Sequence, residues 1–212
     1  MSDAPVKKGI FREYGESLVI AVILALFVRT WVFQAFKIPT GSMENGLLIG
    51  DHLIVNKMLF APAATGLERA LLPSRPIRRG DVIVFKYPAD PERDFIKRVI
   101  GLPGDKLELR RKKVLINGQP IDEPPTVHFL EQPSTGSPRL DDVREEYGPV
   151  TVPANQYFMM GDNRDNSQDS RFWGFLPAHY VKGQALFIYF SVEENASLVS
   201  GIRWGRIFGR VR

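Results

Sequence analysis

Eleven consecutive apolar residues, Leu18 to Val28, stand near the start of the chain, and after Arg29 and Thr30 apolar character resumes through Trp31-Val-Phe-Gln-Ala-Phe36. Read as one helix, residues 16–36 reach about 31 Å at about 1.5 Å per residue, enough to cross a hydrocarbon core. Arg29 lies near one end, where a long side chain snorkels to the headgroups, and Trp31, Phe33 and Phe36 suit the interfacial belt. No small-x-small cleavage site follows the run, which argues against a removable leader and leaves a buried core helix as the alternative. Lys7, Lys8 and Arg12 precede the run, whereas only Lys37 follows it before Lys57. This asymmetry predicts a cytoplasmic segment 1–15, a transmembrane helix 16–36 and a domain 37–212 on the outer face.

From residue 37 the period shortens to that of strands, in Asp51-His-Leu-Ile-Val55, Asp81-Val-Ile-Val-Phe85, Phe95-Ile-Lys-Arg-Val-Ile100 and Ala185-Leu-Phe-Ile-Tyr-Phe190. Asn117-Gly118 supplies the positive φ angles of a two-residue hairpin turn. Residues 61–79 read as a loop with a short helix near 66–72, and the Pro-, Ser- and Gly-rich stretch 123–148 reads as a mobile excursion or small insert. The pattern predicts a mainly β fold behind a single N-terminal transmembrane helix.

Composition then closes off chemistries. With no cysteine among 212 residues, disulfide scaffolds, thiolate metal sites and cysteine nucleophiles are excluded. The net charge of +4 resides in Arg203, Arg206, Arg210 and Arg212, so the preceding chain balances 24 basic against 24 acidic residues. A neutral body gives no footprint for nucleic acid. In the tail, Trp204, Ile207, Phe208 and Val211 recur at helical spacing opposite Arg203, Arg206 and Arg210, although Gly205 and Gly209 weaken any helix. The segment either lies on anionic lipid or packs on the β domain with its arginines solvated.

His52, His128 and His179 have neither paired-His nor HExxH spacing and read as structural, so a serine nucleophile would need another base. A lysine serves if burial keeps it neutral; at its ordinary pKa only about one in 2,500 is neutral at pH 7. Lys97 shares a strand face with Phe95 and Val99, and Ser42 follows Gly41 directly beyond the apolar run, with Thr40 adding a second hydroxyl. Taken singly, Ser42 reads as a turn or cap residue, and Lys97 as an edge or snorkelling residue. The run Gly161-Asp-Asn-Arg-Asp-Asn-Ser-Gln-Asp-Ser-Arg171 lacks EF-hand spacing, and a hydrogen-bonded loop fixed by Asp/Arg pairs accounts for it better than calcium.

Four segments in this order carry a more specific signal: Ile38-Pro-Thr-Gly-Ser-Met43, Gly50-Asp-His-Leu-Ile-Val-Asn-Lys57, Lys97-Arg-Val-Ile-Gly-Leu-Pro-Gly-Asp105 and residues 161–171. With the N-terminal anchor, they make the chain resemble the bacterial type I signal peptidases, membrane-bound serine proteases with a Ser-Lys dyad. The resemblance implies an antiparallel β-sheet catalytic domain with a core of 37–112 and 149–212 and a small insert at about 113–148. It implies Ser42 as nucleophile, Lys97 as general base, Ser167 orienting the Lys97 amine, and the Ser42 amide with the Thr40 hydroxyl as oxyanion hole. Arg98 with Asp162, and Asp169 with Arg171, are implied as structural pairs. Ile38, Met43, Leu47, Phe95 and Ile96 match the pocket for the residue before the cut, and Phe36, Leu53, Val84 and Asp94 the pocket two residues upstream.

The implied function is removal of signal peptides after Ala-x-Ala-like sites, with no cofactor or metal, by a monomer in the bacterial plasma membrane. Its implied partners are preprotein signal peptides, the lipid bilayer and, transiently, the export translocon. One departure is Met43-Glu-Asn-Gly46, where many members have Met-x-Pro-Thr. Two rivals remain open: a specialised processing peptidase of the same Ser-Lys type, and a non-enzymatic membrane-anchored β-module that binds export machinery.

Overall fold

The computed structural model describes residues 10–60, 74–129, 143–193 and 200–211. Helix α1 spans Ile10–Phe27 and widens into a π-turn at Val28–Val32. Tyr14–Val32 has a mean hydropathy of 1.8 over 19 residues and is not buried against the rest of the protein. At about 1.5 Å per residue this stretch covers about 28 Å, close to a hydrocarbon core.

The helix ends earlier than the apolar pattern predicts. Phe33 turns extended, at φ −127° and ψ 146°, and Phe33–Lys37 forms β1, paired antiparallel with β2 (Asp51–Asn56) from Phe33↔Asn56 to Lys37↔His52. Hydropathy alone does not separate an apolar helix from an apolar strand that follows it. Here the backbone of 33–37 takes its partners from β2, and the end of the helix is held by Lys57, whose amine donates to the Thr30 carbonyl at 2.7 Å.

The remaining strands are β3 (Val82–Tyr87), β4 (Asp90–Gly101), β5 (Lys106–Arg110), β6 (Lys113–Ile116), β7 (Gln119–Pro120), β8 (Tyr147–Thr151), β9 (Gln156–Met160), β10 (Leu176–Pro177) and β11 (Val181–Ser191). They form a seven-stranded antiparallel sheet of order β1-β2-β11-β3-β4-β9-β10 and a four-stranded one of order β7-β6-β5-β8. A short helix, α2, occupies Ser170–Trp173. Strict alternation along β2 buries Asp51, Leu53 and Val55 and leaves His52, Ile54 and Asn56 half-buried, the signature of a strand facing one core.

Two other expectations are revised. The described parts of the expected insert, 113–129 and 143–148, are not separate from the core. β6 pairs with β5 from the predicted core, and both rest on one apolar cluster with Phe158 and Met160 of β9, so the small sheet continues the packing of the large one. The hairpin at Asn117-Gly118 is present, with φ of 53° and 82°. The tail is no amphipathic helix: it runs alongside β11, with Phe208 donating to and Gly209 accepting from Ile188. Nor are its arginines all solvated, because Arg206 pairs with the buried Asp51. The short helix expected near 66–72 lies outside the described residues.

Gly50 is a position where only glycine fits. Its φ is +87°, and an added Cβ would stand 2.0 Å from the Val192 carbonyl oxygen. Gly50→Ala should therefore cost about 2 kcal/mol or more, lowering the melting midpoint of the detergent-solubilised protein by roughly 4–8 °C. An unchanged midpoint would mean that the chain rearranges there.

Candidate active site

Ser42 sits in a single 3-10 turn, Gly41–Met43, entered from an extended Thr40 at φ −137° and ψ 151°. The turn is tied to the 161–171 loop: the Ser42 carbonyl accepts from the Asn163 amide at 3.2 Å, and the Asn163 side chain donates to the Gly41 carbonyl at 3.3 Å. Lys97 comes from the interior of β4, flanked by β3 and β9, and its side chain is buried. It is 3% exposed, and its Nζ lies 2.7 Å from Ser42 Oγ and 3.0 Å from the Ile96 carbonyl oxygen.

Burial pushes the Lys97 pKa down to about 8, against the upward pull of the Asp169 and Asp162 carboxylates. Both carboxylates are occupied. Arg98 Nε and Nη2 grip Asp162 at 2.7 and 2.5 Å, while Thr126 Oγ1 also donates to Asp162 at 2.7 Å. Arg171 Nε and Nη2 each reach Asp169 at 2.8 Å, with both side chains fully buried, and the Gly161 amide donates to Asp169 at 3.1 Å. A buried carboxylate in a bidentate guanidinium grip projects much less field than a bare one, so the amine keeps most of its depression.

Ser42, Lys97, Thr40 and Ser167 line one cleft of about 700 Å³, together with Asp94, Phe95 and Ile96. Thr40 stands exposed on its rim. Ser167 departs from expectation, because its hydroxyl is buried and makes no hydrogen bond to Lys97 or to any other group among the described residues. The amine spends its contacts on Ser42 and on the Ile96 carbonyl instead.

The nine expected pocket residues divide into two layers. Asp94, Phe95 and Ile96 border the cleft, whereas Ile38, Met43, Leu47, Leu53 and Val84 are packed behind it in one apolar cluster, joined by Phe36. Asp94 is engaged by Lys182 at 2.7 Å. The apolar character of the other eight was readable in the sequence; that most of them back the wall and do not line it follows from the depth of the fold.

The sequence reading missed Asn163, Thr126 and the constraint at Gly161. An added Cβ at Gly161 would meet Ser167 Oγ at 2.3 Å and the Ser42 carbonyl oxygen at 2.5 Å, so glycine there lets the two segments approach. Gly161 was visible only as one letter of a polar loop. Among the described residues, no group of three or more His, Asp or Glu side chains is placed to hold a metal ion.

Comparison with known proteins agrees with this build. The family described as "Signal peptidase, peptidase S26" matches residues 11–190. The chain is 35% identical over 211 residues to signal peptidase I of Pseudomonas aeruginosa, covering 87% of this chain and 74% of that one. It is 38% identical over 186 residues to probable signal peptidase I-2 of a Synechocystis species, covering 85% and 73%. A crystal structure of a signal peptidase I from Enterococcus faecalis aligns at 30% identity with a TM-score of 0.41, over 52% of this chain and 97% of that one. A mainly antiparallel β domain behind one apolar helix, with these relatives, is a peptidase of membrane-anchored build. The chain belongs to the signal peptidase family, peptidase S26.

The buried amine carries a stability signature. Below pH 8 it is charged both folded and unfolded, and the folded state bears the full desolvation cost; that cost fades as pH rises from about 8 to the unfolded value of 10.5. Lys97→Met should accordingly unfold at higher denaturant at pH 7, by about 1–2 kcal/mol after loss of the amine's two hydrogen bonds. The gap should narrow by pH 10.5 in chemical denaturation; a gap independent of pH would mean the amine is not desolvated.

Proposed function

We propose that this protein removes N-terminal signal peptides from exported preproteins, cleaving after Ala-x-Ala-like sites through an acyl-enzyme on Ser42. The observation that carries this reading is the 2.7 Å contact between the buried Lys97 amine and the Ser42 hydroxyl. When Lys97 is neutral, its lone pair accepts the Ser42 proton as Oγ attacks the scissile carbonyl. The tetrahedral oxyanion takes hydrogen bonds from the Ser42 amide and the Thr40 hydroxyl. The Lys97 ammonium then protonates the departing amine, and the regenerated base draws a proton from the water that hydrolyses the ester. Turning toward Ser167, whose buried hydroxyl has no other partner among the described residues, gives the neutral amine a second anchor and fixes its lone pair on Ser42.

Selectivity follows from the layered wall. Ile96 borders the cleft, and the side chains behind it are already in contact, so a methyl group fits in front of them and a ring would have to displace a packed core. In this reading the cleft lies at the outer surface of the bacterial plasma membrane, where the cut site of an exported chain emerges beside the translocon, and residues 1–15 lie in the cytoplasm; the Lys/Arg excess before the apolar run supports that orientation. One copy of the chain holds every group that the scheme needs, and no cofactor enters it.

Ser42→Ala and Lys97→Ala should each lower preprotein processing in proteoliposomes by roughly a thousandfold or more. Cleavage by either variant at the parental rate would refute the dyad. The catalytic base must be unprotonated, so kcat/KM should climb about tenfold per pH unit at low pH and level off above the Lys97 pKa of about 8. Replacing Ala by Phe immediately before the cut should nearly abolish cleavage; tolerance of Phe would sink the small-pocket model.

A further inference from the structure

Arg206 belongs to a short turn, Trp204–Arg206, near the C-terminus, yet its guanidinium reaches the connection that follows Ser42. Its Nε and Nη2 hold the two oxygens of Asp51 at 3.1 and 2.6 Å, and Nη2 also donates to the Gly46 carbonyl at 2.9 Å. Asp51 is fully buried and accepts further hydrogen bonds from Ser191 Oγ at 2.7 Å and the Leu48 amide at 2.8 Å. Nearby, Arg203 donates to the carbonyls of Ile49 and Val192.

The segment so held is 44–51, and it has little stiffness of its own. Glu44-Asn45-Gly46 turns with Asn45 at φ 73°, and no proline restricts it. It nonetheless carries Leu47, packed in the cluster behind the cleft, and its main chain brackets Ile38: Ile38 N donates to the Asp51 carbonyl at 2.8 Å, and Gly50 N to the Ile38 carbonyl at 3.0 Å. The tail is fixed in turn on β11, through the paired hydrogen bonds at Ile188. Rigidity therefore passes from the large sheet through Arg206 to the wall behind the cleft.

We propose that Arg206 is a positioning residue: by bridging Asp51 and the Gly46 carbonyl it holds Leu47 and Ile38 in place, so that the C-terminal segment enforces the preference for a small side chain before the cut. The proposal rests on the reading of Ser42 as a peptidase nucleophile selective for small residues.

The test uses the full-length protein in proteoliposomes with three peptides that differ only in Ala, Val or Leu before the cut. For Arg206→Gln, the ratio of kcat/KM for Ala over Leu should fall roughly tenfold, with the pH midpoint of kcat/KM unchanged. Amide exchange at Leu47, Leu48 and Gly50, measured without substrate, should quicken roughly tenfold or more. Arg206→Lys keeps the charge but not the two-sided bridge, and should lower the ratio only about twofold to threefold. An unchanged ratio, a uniform loss on all three peptides, or unchanged exchange would overturn the proposal. Should Arg206→Gln fail to fold, Arg206→Lys decides it: a ratio identical to the parental one overturns it. If the parental protein cleaves no peptide, or cleavage survives Ser42→Ala, the proposed function fails instead. The exchange measurement still decides separately whether Arg206 holds the connection.

Discussion

A lysine amine largely stripped of its hydration by burial is the constraint from which most of this structure follows. Lys97 is enclosed by its own sheet and by the 161–171 loop, and the same enclosure contains two carboxylates that would restore its ordinary affinity for protons if left bare. Each is occupied by a guanidinium, Asp162 by Arg98 and Asp169 by Arg171. The two pairs add no net charge, but they convert what would be strong local fields into short-range contacts: Arg98–Asp162 also knits β4 to the loop carrying Gly161 and Ser167, and Asp169–Arg171 braces that loop from within. A buried pair of this kind contributes little net stability against an apolar replacement, and breaking one partner leaves an uncompensated charge. Their use here is to let acidic groups shape the loop without cancelling the desolvation of the amine beside them.

How much of this was legible in the sequence depends on whether a feature is local. The apolar anchor, the β period of the domain and the Asn117-Gly118 hairpin follow from patterns a few residues long. Ser42 and Lys97 are 55 positions apart and individually bland; their meaning came from the order of four segments resembling a family. Features made by chain crossings were illegible. That the helical stretch stops at Val32 depends on β2 offering its edge to Phe33–Lys37, and that Val114, Ile116 and Tyr147 share a core with β9 depends on the way the small sheet folds over. The tail arginines looked like solvated charge because their partners, Asp51 and the carbonyls of 46 and 49, lie about 155 residues earlier.

The cleft illustrates how a specificity wall differs from a specificity list. Only Ile96, Phe95 and Asp94 among the expected pocket residues border open space, while the larger set behind them sets how far those three can yield. Close-packed interiors transmit volume changes poorly in one direction and well in the other: a smaller guest leaves them undisturbed, and a larger one must move several side chains together. The proposed preference for small residues can thus be held by atoms that never touch the substrate.

The junction between α1 and the sheet has a mechanical meaning. The helix runs through its π-turn directly into β1, whose five residues are locked in register on β2, and Lys57 clasps the helix end from the far side of the same strand pair. A flexible linker would let the domain swing like a tethered buoy. With no linker, tilting the helix tilts the sheet, and the ten residues from Phe33 to Ser42 act as a stiff spacer between helix and cleft. Under the proposed function, membrane thickness and lipid order become inputs to catalysis, because they set the angle at which a substrate chain meets the serine.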